Sequence, residues 1–418
     1  MKARAAVACA IACVGGFVAG PGSAQAEDDL LTRPALFDVP GGPLQDLKSR
    51  GIDLYGSLTQ FYQGLVAGEG DQNWEYGGKV DLIGTFVGQK LGLWKGLIVN
   101  AHFEYVYGSD VNFQGDGSIF PINTALAFPT LGGYDTDLSL VVTQMINDEA
   151  TISIGKFNML DVAAKTPLLG GGGIDTFMNT ALAAPITGVT PPYILGAIAT
   201  YDPGPVKFTF MAYDPRNAQN PDVFEDPFAT GVVLSVIGTV PVTIHGLNGW
   251  QNLRVAYSTQ DGFDFEDIPQ LILPPETRDI ETKDGSWYIG YSFQQYLVQE
   301  DADPTRGWGV FGYAAISDGN PNPIQYAAFL GLGGNSLLPG RSDDRFGVGY
   351  FYYGLADSLK DGLRGFGLDY GNESGLEVFY NAAVTPWFRL SGDLQVIQPS
   401  NGDETAVFLG LRGQLIAF

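Results

Sequence analysis

Apolar and polar residues alternate with period two along most of the chain beyond residue 50. In Trp74–Phe86 one parity holds Trp74, Tyr76, Gly78, Val80, Leu82, Gly84 and Phe86. The other holds Glu75, Gly77, Lys79, Asp81, Ile83 and Thr85. The next segment repeats the pattern, with Leu97, Val99, Ala101, Phe103, Tyr105 and Tyr107 on one parity and Asn100, His102 and Glu104 on the other. Successive side chains of a strand point to opposite faces. These segments therefore predict strands with an apolar, aromatic-ended face and a face carrying charges of both signs. Sixteen such strands are predicted, at about 52–65, 74–88, 96–107, 137–147, 150–158, 193–202, 205–213, 230–243, 250–260, 285–297, 306–317, 323–332, 344–356, 373–384, 387–397 and 404–418. Most exceed the 5–6 residues or so of ordinary globular strands and suit a tilted membrane crossing of about 9–11 residues.

One alternating strand fits a soluble sandwich as well as a transmembrane barrel. The number of strands, their length and their connections separate the two. The count is even, as bacterial barrels require. Asn147-Asp148-Glu149, Asp202-Pro-Gly-Pro205 and Thr385-Pro386 are tight turns, whereas 108–136, 159–192, 214–229, 261–284 and 357–372 are long. Short periplasmic turns on one rim and long extracellular loops on the other are the outer-membrane pattern. The alternation is imperfect, because 333–343 is long where a short link is expected and 318–322 is short where a long one is expected. Pro40-Gly-Gly-Pro43 followed by Leu44–Arg50 predicts a turn and one short amphipathic helix at the periplasmic mouth.

The N-terminus sets the compartment. Lys2 and Arg4 precede the small apolar stretch Ala5–Val18, then Ala24-Gln25-Ala26 and the acidic Glu27-Asp28-Asp29. That is a cleavable signal peptide, residues 1–26, too short to span a bilayer as a helix. Residues 27–51 then form an N-terminal periplasmic segment and 52–418 the barrel. Both cysteines, Cys9 and Cys13, fall in the leader, which leaves an exported chain without disulfides. Removing Lys2 and Arg4 takes the net charge from −24 to −26, which makes nucleic acid and anionic lipid poor partners. Glycine is abundant, 57 of 418 residues, about twice ordinary usage. No segment after the leader is apolar enough for a membrane helix, so a membrane-embedded form must be a closed barrel.

No catalytic constellation stands out. The chain has two histidines, His102 and His245, and no H-E-x-x-H, G-x-S-x-G or P-loop motif. Acidic pairs such as Asp343-Asp344 and Glu300-Asp301 read as solvated turns rather than metal sites, and neither cofactor nor metal is expected. The informative residues are the predicted inward ones: Glu75, Lys79, Asp81, Asn100, His102, Glu104, Asn252, Arg254, Glu377, Asn381, Arg389, Asp393 and Gln395. Donors and acceptors of both signs suit a neutral, multiply hydroxylated solute. The same residues can simply pair across strands. The 159–192 loop, with Leu168-Leu-Gly-Gly-Gly-Gly-Ile-Asp-Thr-Phe177 and Pro191-Pro192, is too long for a plain connection. It is expected to fold into the lumen and narrow it.

Gly77-Gly-Lys-Val-Asp-Leu-Ile-Gly84 with Lys90-Leu-Gly-Leu-Trp-Lys-Gly96 resembles the first hairpin of the carbohydrate-selective porin family, the OprB-like outer-membrane porins. Gly155-Lys156-Phe157, Phe177-Met-Asn179, Pro191-Pro-Tyr193, Asp318–Pro323, Pro339–Gly349, Glu377–Asn381, Thr385-Pro-Trp387 and Asp393-Leu-Gln395 are similar to later parts of that family, so the resemblance runs from about residue 44 to the end. It implies an all-β, 16-stranded antiparallel barrel in the outer membrane of a Gram-negative bacterium that passes neutral sugars by passive diffusion. Its partners would be outer-membrane lipid and the barrel-assembly machinery, as a monomer or homotrimer. One departure is visible: Phe418 and Ile416 share parity with Gln414 and Arg412, whereas Val407, Leu409, Leu411 and Leu415 lie on the other. A bulge near Gly413 or a frayed last turn is expected. A general cation-preferring porin and a secreted β-rich binding or adhesion protein are the competing readings.

Overall fold

A computed structural model describes residues 29–272, 281–301, 303–336 and 338–418. The expected leader, with Cys9 and Cys13, lies outside them. The strands are β1 (Ile52–Ala67), β2 (Trp74–Val87), β3 (Leu97–Gly108), β4 (Thr136–Met145), β5 (Ala150–Asn158), β6 (Tyr193–Tyr201), β7 (Lys207–Tyr213), β8 (Val233–Ile244), β9 (Leu247–Ser258), β10 (Gly262–Phe263), β11 (Thr282–Lys283), β12 (Ser286–Glu300), β13 (Asp303–Ser317), β14 (Ile324–Asn335), β15 (Arg345–Leu355), β16 (Glu373–Thr385), β17 (Phe388–Gln398) and β18 (Ala406–Ile416). Sixteen close into one antiparallel barrel, with β18 returning to pair with β1. The two-residue β10 and β11 form a separate small hairpin within the β9–β12 loop. Each predicted strand corresponds to one barrel strand, with ends shifted by a few residues. The short N-terminal helix is Pro43–Ser49.

The turns follow local chemistry. Asn147 Oδ1 accepts the amides of Glu149 (2.9 Å) and Ala150 (2.7 Å), which folds the β4–β5 turn. His245 and Gly246, at φ 52° and 82°, make a two-residue turn between β8 and β9, the left-handed pair that matches strand twist. The second histidine is thus an exposed turn residue.

The outward face is apolar and bare. Leu138, Leu140, Leu234, Leu253, Leu330, Tyr350 and Leu411 are all large and exposed. So continuous a belt has no place on a water-soluble sandwich and is what lipid requires. The secreted-protein reading therefore fails. Aromatic residues gather at the two ends of the belt: Tyr62 stacks on Trp74 at 4.9 Å at the long-loop end, and Trp308 lies 6.4 Å from Phe346 at the short-turn end.

The closing seam corrects the expectation for the last strand. Register between β1 and β18 runs unbroken from Ser57↔Ile416 through Gln60↔Gly413, so there is no bulge at Gly413. The irregularity is two residues beyond Ile416. Gly56 O accepts the Ala417 amide (2.7 Å) and Gly56 N donates to Phe418 O (2.8 Å), which sets two residues against one. That is a bulge, and it moves Phe418 to the outward parity. Its ring lies over Gly56, where a Cβ would stand 2.6 Å from Phe418 Cζ. Only glycine leaves room for the terminal ring.

The inward face also departs from expectation. It is polar on β2 and β3 but apolar over much of β12–β16, where Tyr288, Phe311, Phe329, Phe351, Tyr353 and Phe379 point inward and are buried. Two long loops, 109–135 and 159–192, fold into the lumen and pack on this half as a core. Phe177 stands edge-on to Phe379 (4.9 Å) and Phe311 (5.7 Å). It seats over Gly347, where a Cβ would approach its ring to 2.7 Å and that of Phe379 to 2.4 Å.

Candidate functional site

The two infolded loops define the lumen. Asn158 caps the helix Met159–Ala164 through the Leu160 amide (2.8 Å), and Asn179 caps Thr180–Ala183 through Ala181 (2.9 Å). Asn123 caps Thr124–Ala127 through Leu126 (3.1 Å). Asparagine is among the best N-cap residues because its carbonyl accepts an otherwise orphan amide. The sequence Asn-Thr-Ala-Leu-Ala occurs in both loops, at 123–127 and 179–183, and the two copies clasp each other. Thr124 N donates to Met178 O (2.8 Å), Thr180 N donates to Pro121 O (3.0 Å), and the hydroxyls of Thr124 and Thr180 are 3.0 Å apart.

The wall holds this unit through buried side chains. Glu377 accepts the amides of Met178 (2.5 Å) and Asn179 (3.0 Å). Gln395 accepts from Asn179 Nδ2 (3.0 Å) and donates to Ile122 O (3.0 Å) and Asp393 Oδ1 (3.0 Å). Arg412 donates to the carbonyls of Gly173 (3.0 Å) and Thr176 (2.9 Å). Asn381 Nδ2 donates to Asp175 O (3.0 Å), and Glu373 accepts from Ile119 (2.6 Å) and Phe120 (3.3 Å). Arg412 and Glu373 are loop anchors that the strand pattern did not single out. The repeated Asn-Thr-Ala-Leu-Ala was the readable sign that both loops belong together.

On the opposite wall the charges pair among themselves. Lys79 Nζ lies 2.6 Å from Glu104 Oε1 and 3.5 Å from Asp81 Oδ1. Glu104 Oε2 accepts from Asn158 Nδ2 (2.9 Å) and Tyr193 Oη (3.0 Å). His102 bridges wall and loop, Nε2 to Asp81 (3.1 Å) and Nδ1 to Asp161 (2.8 Å). Lys156 pairs with Asp137 and lies 5.4 Å over the Tyr193 ring. Asp81, His102 and Glu104 bring potential ligand atoms within 4.8 Å of one another, the spacing a metal could use. The Lys79 ammonium already stands between the two carboxylates, so the set reads as an ion-pair network rather than a metal centre.

The sequence-predicted residues therefore divide by access. Lys79, Asp81, His102, Glu104, Glu377, Asn381, Asp393 and Gln395 all point inward but are at most 7% exposed, covered by the loops they hold. Glu75, Asn100, Arg254 and Arg389 are half-buried on the inward parity. Asn100 donates to Thr85 Oγ1 (2.8 Å), and Asn252 accepts from Thr239 Oγ1 (2.7 Å). Arg254 donates to Ser235 Oγ (3.0 Å) and Thr190 Oγ1 (2.9 Å) and lies 5.8 Å over the Tyr288 ring. From the loop, Asp161 presents a carboxylate that is 39% exposed.

At the short-turn rim, Asp344 fastens the β14–β15 link to β16. It accepts from Tyr380 Oη (2.5 Å), Ala383 N (2.8 Å) and Arg341 Nε (2.7 Å). Burial opposes its charge, but these donors outweigh burial and hold the carboxyl below its ordinary value.

A lumen narrowed by loops and lined by both signs of charge matches one family of channels in sequence as well as in shape. The model of the carbohydrate-selective porin, OprB family, matches residues 76–415. The chain belongs to the OprB family of carbohydrate-selective porins. It is a carbohydrate porin of the outer membrane, and family and fold point to a channel rather than an enzyme. Among solved structures, it is similar to the high-pH structure of Pseudomonas putida OprB, with a TM-score of 0.76 and 18% identity over 90% of this chain and 96% of that one. The low-pH structure of Pseudomonas putida OprB gives 0.53 and 15% identity, over 92% of this chain and 99% of that one. A search of curated proteins found no match.

Proposed function

We propose that this porin passes neutral, monosaccharide-sized sugars by passive diffusion through a gap left between the infolded loops and the polar wall. The observation that carries this reading is the clasp of 109–135 and 159–192 inside the barrel, packed against the apolar half of the wall. Neutral sugars fit because the accessible inward groups, Glu75, Asn100, Arg254, Arg389 and the loop's Asp161, offer both acceptors and donors to hydroxyls. The buried pairs behind them fix the shape of the passage. The long-loop rim is extracellular and the Pro43–Ser49 helix sits at the periplasmic mouth. Residues 1–26 are a signal peptide, 27–51 a periplasmic segment, and the barrel-assembly machinery inserts the rest as a monomer or homotrimer. The test is swelling of liposomes loaded with purified protein. Monosaccharides should enter faster than disaccharides, and faster than neutral linear polyols of matched size. Equal entry of sugars and matched polyols would favour a general, cation-preferring porin instead.

A further inference from the structure

The charged residues on β15 and β17 do not follow the pairing rule of the Lys79 network. Among the described residues, neither Arg345 nor Arg389 has a carboxylate within salt-bridge distance. Arg345 makes one hydrogen bond, from Nη2 to Pro167 O (3.1 Å), and Arg389 makes one, from Nη1 to Asp343 O (3.2 Å). A guanidinium carries five N–H donors, so most of each fork is free. Both side chains are inward and half-buried. The register sets them close: Arg345 is opposite Asn381 on β16, and Arg389 is opposite Ala383 on the same strand. They are thus two strands apart and offset by two residues, about 10 Å laterally, well within reach of two long side chains.

Acceptors without partners surround them. Arg389 is opposite Gln414, and Gln414 is opposite Thr59, so the three form one row across β17, β18 and β1. Gln414 and Thr59 are 2% and 0% exposed. Neither Gln414 Oε1 nor Thr59 Oγ1 has a hydrogen-bond partner in the protein, and the same holds for Asn381 Oδ1. Asn381 Nδ2, in turn, holds the backbone of Asp175 above this row, which makes Asp175 a charged neighbour of Arg345. Buried polar atoms are ordinarily satisfied. The row thus sets unsatisfied acceptors beside two guanidiniums that have no salt-bridge partner among the described residues.

We propose that Arg345 and Arg389 form a second subsite, near the short-turn rim, for monosaccharides that carry a carboxylate, that is, aldonic or uronic acids. The carboxylate lies on the two guanidinium forks, and the hydroxyls donate to the half-buried Asp175 carboxylate. Guanidinium suits this task because its planar donors match carboxylate geometry and give the stronger, charge-assisted bonds. The inference rests on the reading that sugars use this lumen and extends the substrate class that the lumen accepts.

The experiment is single-channel recording of the full barrel in planar bilayers, with glucose, gluconate and glucuronate as blockers. The acids should block the wild-type current at concentrations about tenfold lower than glucose does, as one added charge-assisted contact implies. Arg345→Gln should remove most of that preference and leave glucose block and liposome uptake of glucose as in the wild type, whereas Arg389→Gln should also weaken glucose block and lower acid block by a larger factor. Arg389→Lys, which keeps the charge but loses the fork, should retain only part of it and serves if either glutamine variant assembles poorly. Acids that block no better than glucose, or variants that keep the preference, would overturn the subsite. Absence of glucose uptake by the wild type would instead defeat the sugar-transport reading.

Discussion

Phe177 is the residue whose removal tests the loop clasp most sharply. Its ring is fully buried, edge-on to Phe311 and Phe379, and seated on Gly347. Truncating a buried phenylalanine to alanine costs about 3–5 kcal/mol in transfer and cavity terms. Here that cost falls on loop docking, since the barrel's own hydrogen bonds do not involve Phe177. Among the remaining ties, the Glu377 and Arg412 bonds are each worth about 1.5–3 kcal/mol as bonds to charged groups. Removing Phe177 therefore takes away as much as one or two of these anchors. Phe177→Ala should give a correctly inserted barrel whose 159–192 loop leaves the wall part of the time. Single-channel records should show added high-conductance substates, and liposomes should admit disaccharides that the wild type excludes. Leu330→Ala, on the exposed outward face, controls for loss of a large apolar residue. A heat-modifiable Phe177→Ala barrel with quiet, wild-type conductance and an unchanged size limit would refute the idea that this ring sets the passage.

Leu82→Arg should impair insertion by about 2–4 kcal/mol, the cost of a cation on the lipid face at mid-depth, read as loss of heat-modifiable gel mobility. Glu104→Ala should also reduce assembly yield, because Lys79 would be left buried beside Asp81 without its nearer partner, a loss of about 3–5 kcal/mol for breaking a buried pair; an unchanged yield would show the network to be dispensable. Gly56→Leu should expel the Phe418 ring and slow assembly, whereas the same substitution at Gly92, where nothing lies within 4 Å of an added Cβ, should cost only the left-handed backbone strain. For Asp344, the folded pKa lies below the unfolded one, so its stabilisation is present above the unfolded pKa of about 3.9 and is lost as pH falls through the folded value. Hydrogen exchange at the Ala383 amide should therefore accelerate as pH is lowered below about 4, once corrected for intrinsic rates, and Asp344→Asn should lose that dependence.

The barrel was legible because β2 and β3 alternate cleanly. Val80, Leu82, Phe103 and Tyr105 on one parity and Lys79, Asp81, His102 and Glu104 on the other leave little choice of face. The apolar half of the lumen was not legible for the same physical reason. On β13–β15, Val310, Leu330 and Tyr350 face outward while Phe311, Phe329 and Phe351 face inward. With both parities apolar, period two cannot say which side meets lipid and which meets a loop. The inward glycines Gly347 and Gly349 carried a hint, since glycine lets another chain approach, but their partners Phe177 and Leu182 lie far away in sequence. His102 and Glu377 were readable as inward residues. Their partners, the Asp161 carboxylate and the Met178 and Asn179 amides, belong to a loop whose path is set by tertiary packing. The break in parity at Phe418 was legible, but the bulge that causes it lies in the last two residues rather than near Gly413.

The proposed function requires sugars to use this passage as ligands do, rather than as any solute small enough to enter. Block of the ion current through single channels by glucose, beside a linear neutral polyol of matched size, tests this directly. Glucose should give concentration-dependent, saturable interruptions and the polyol none. Equal, non-saturating reductions with both, as simple volume exclusion would give, would contradict it.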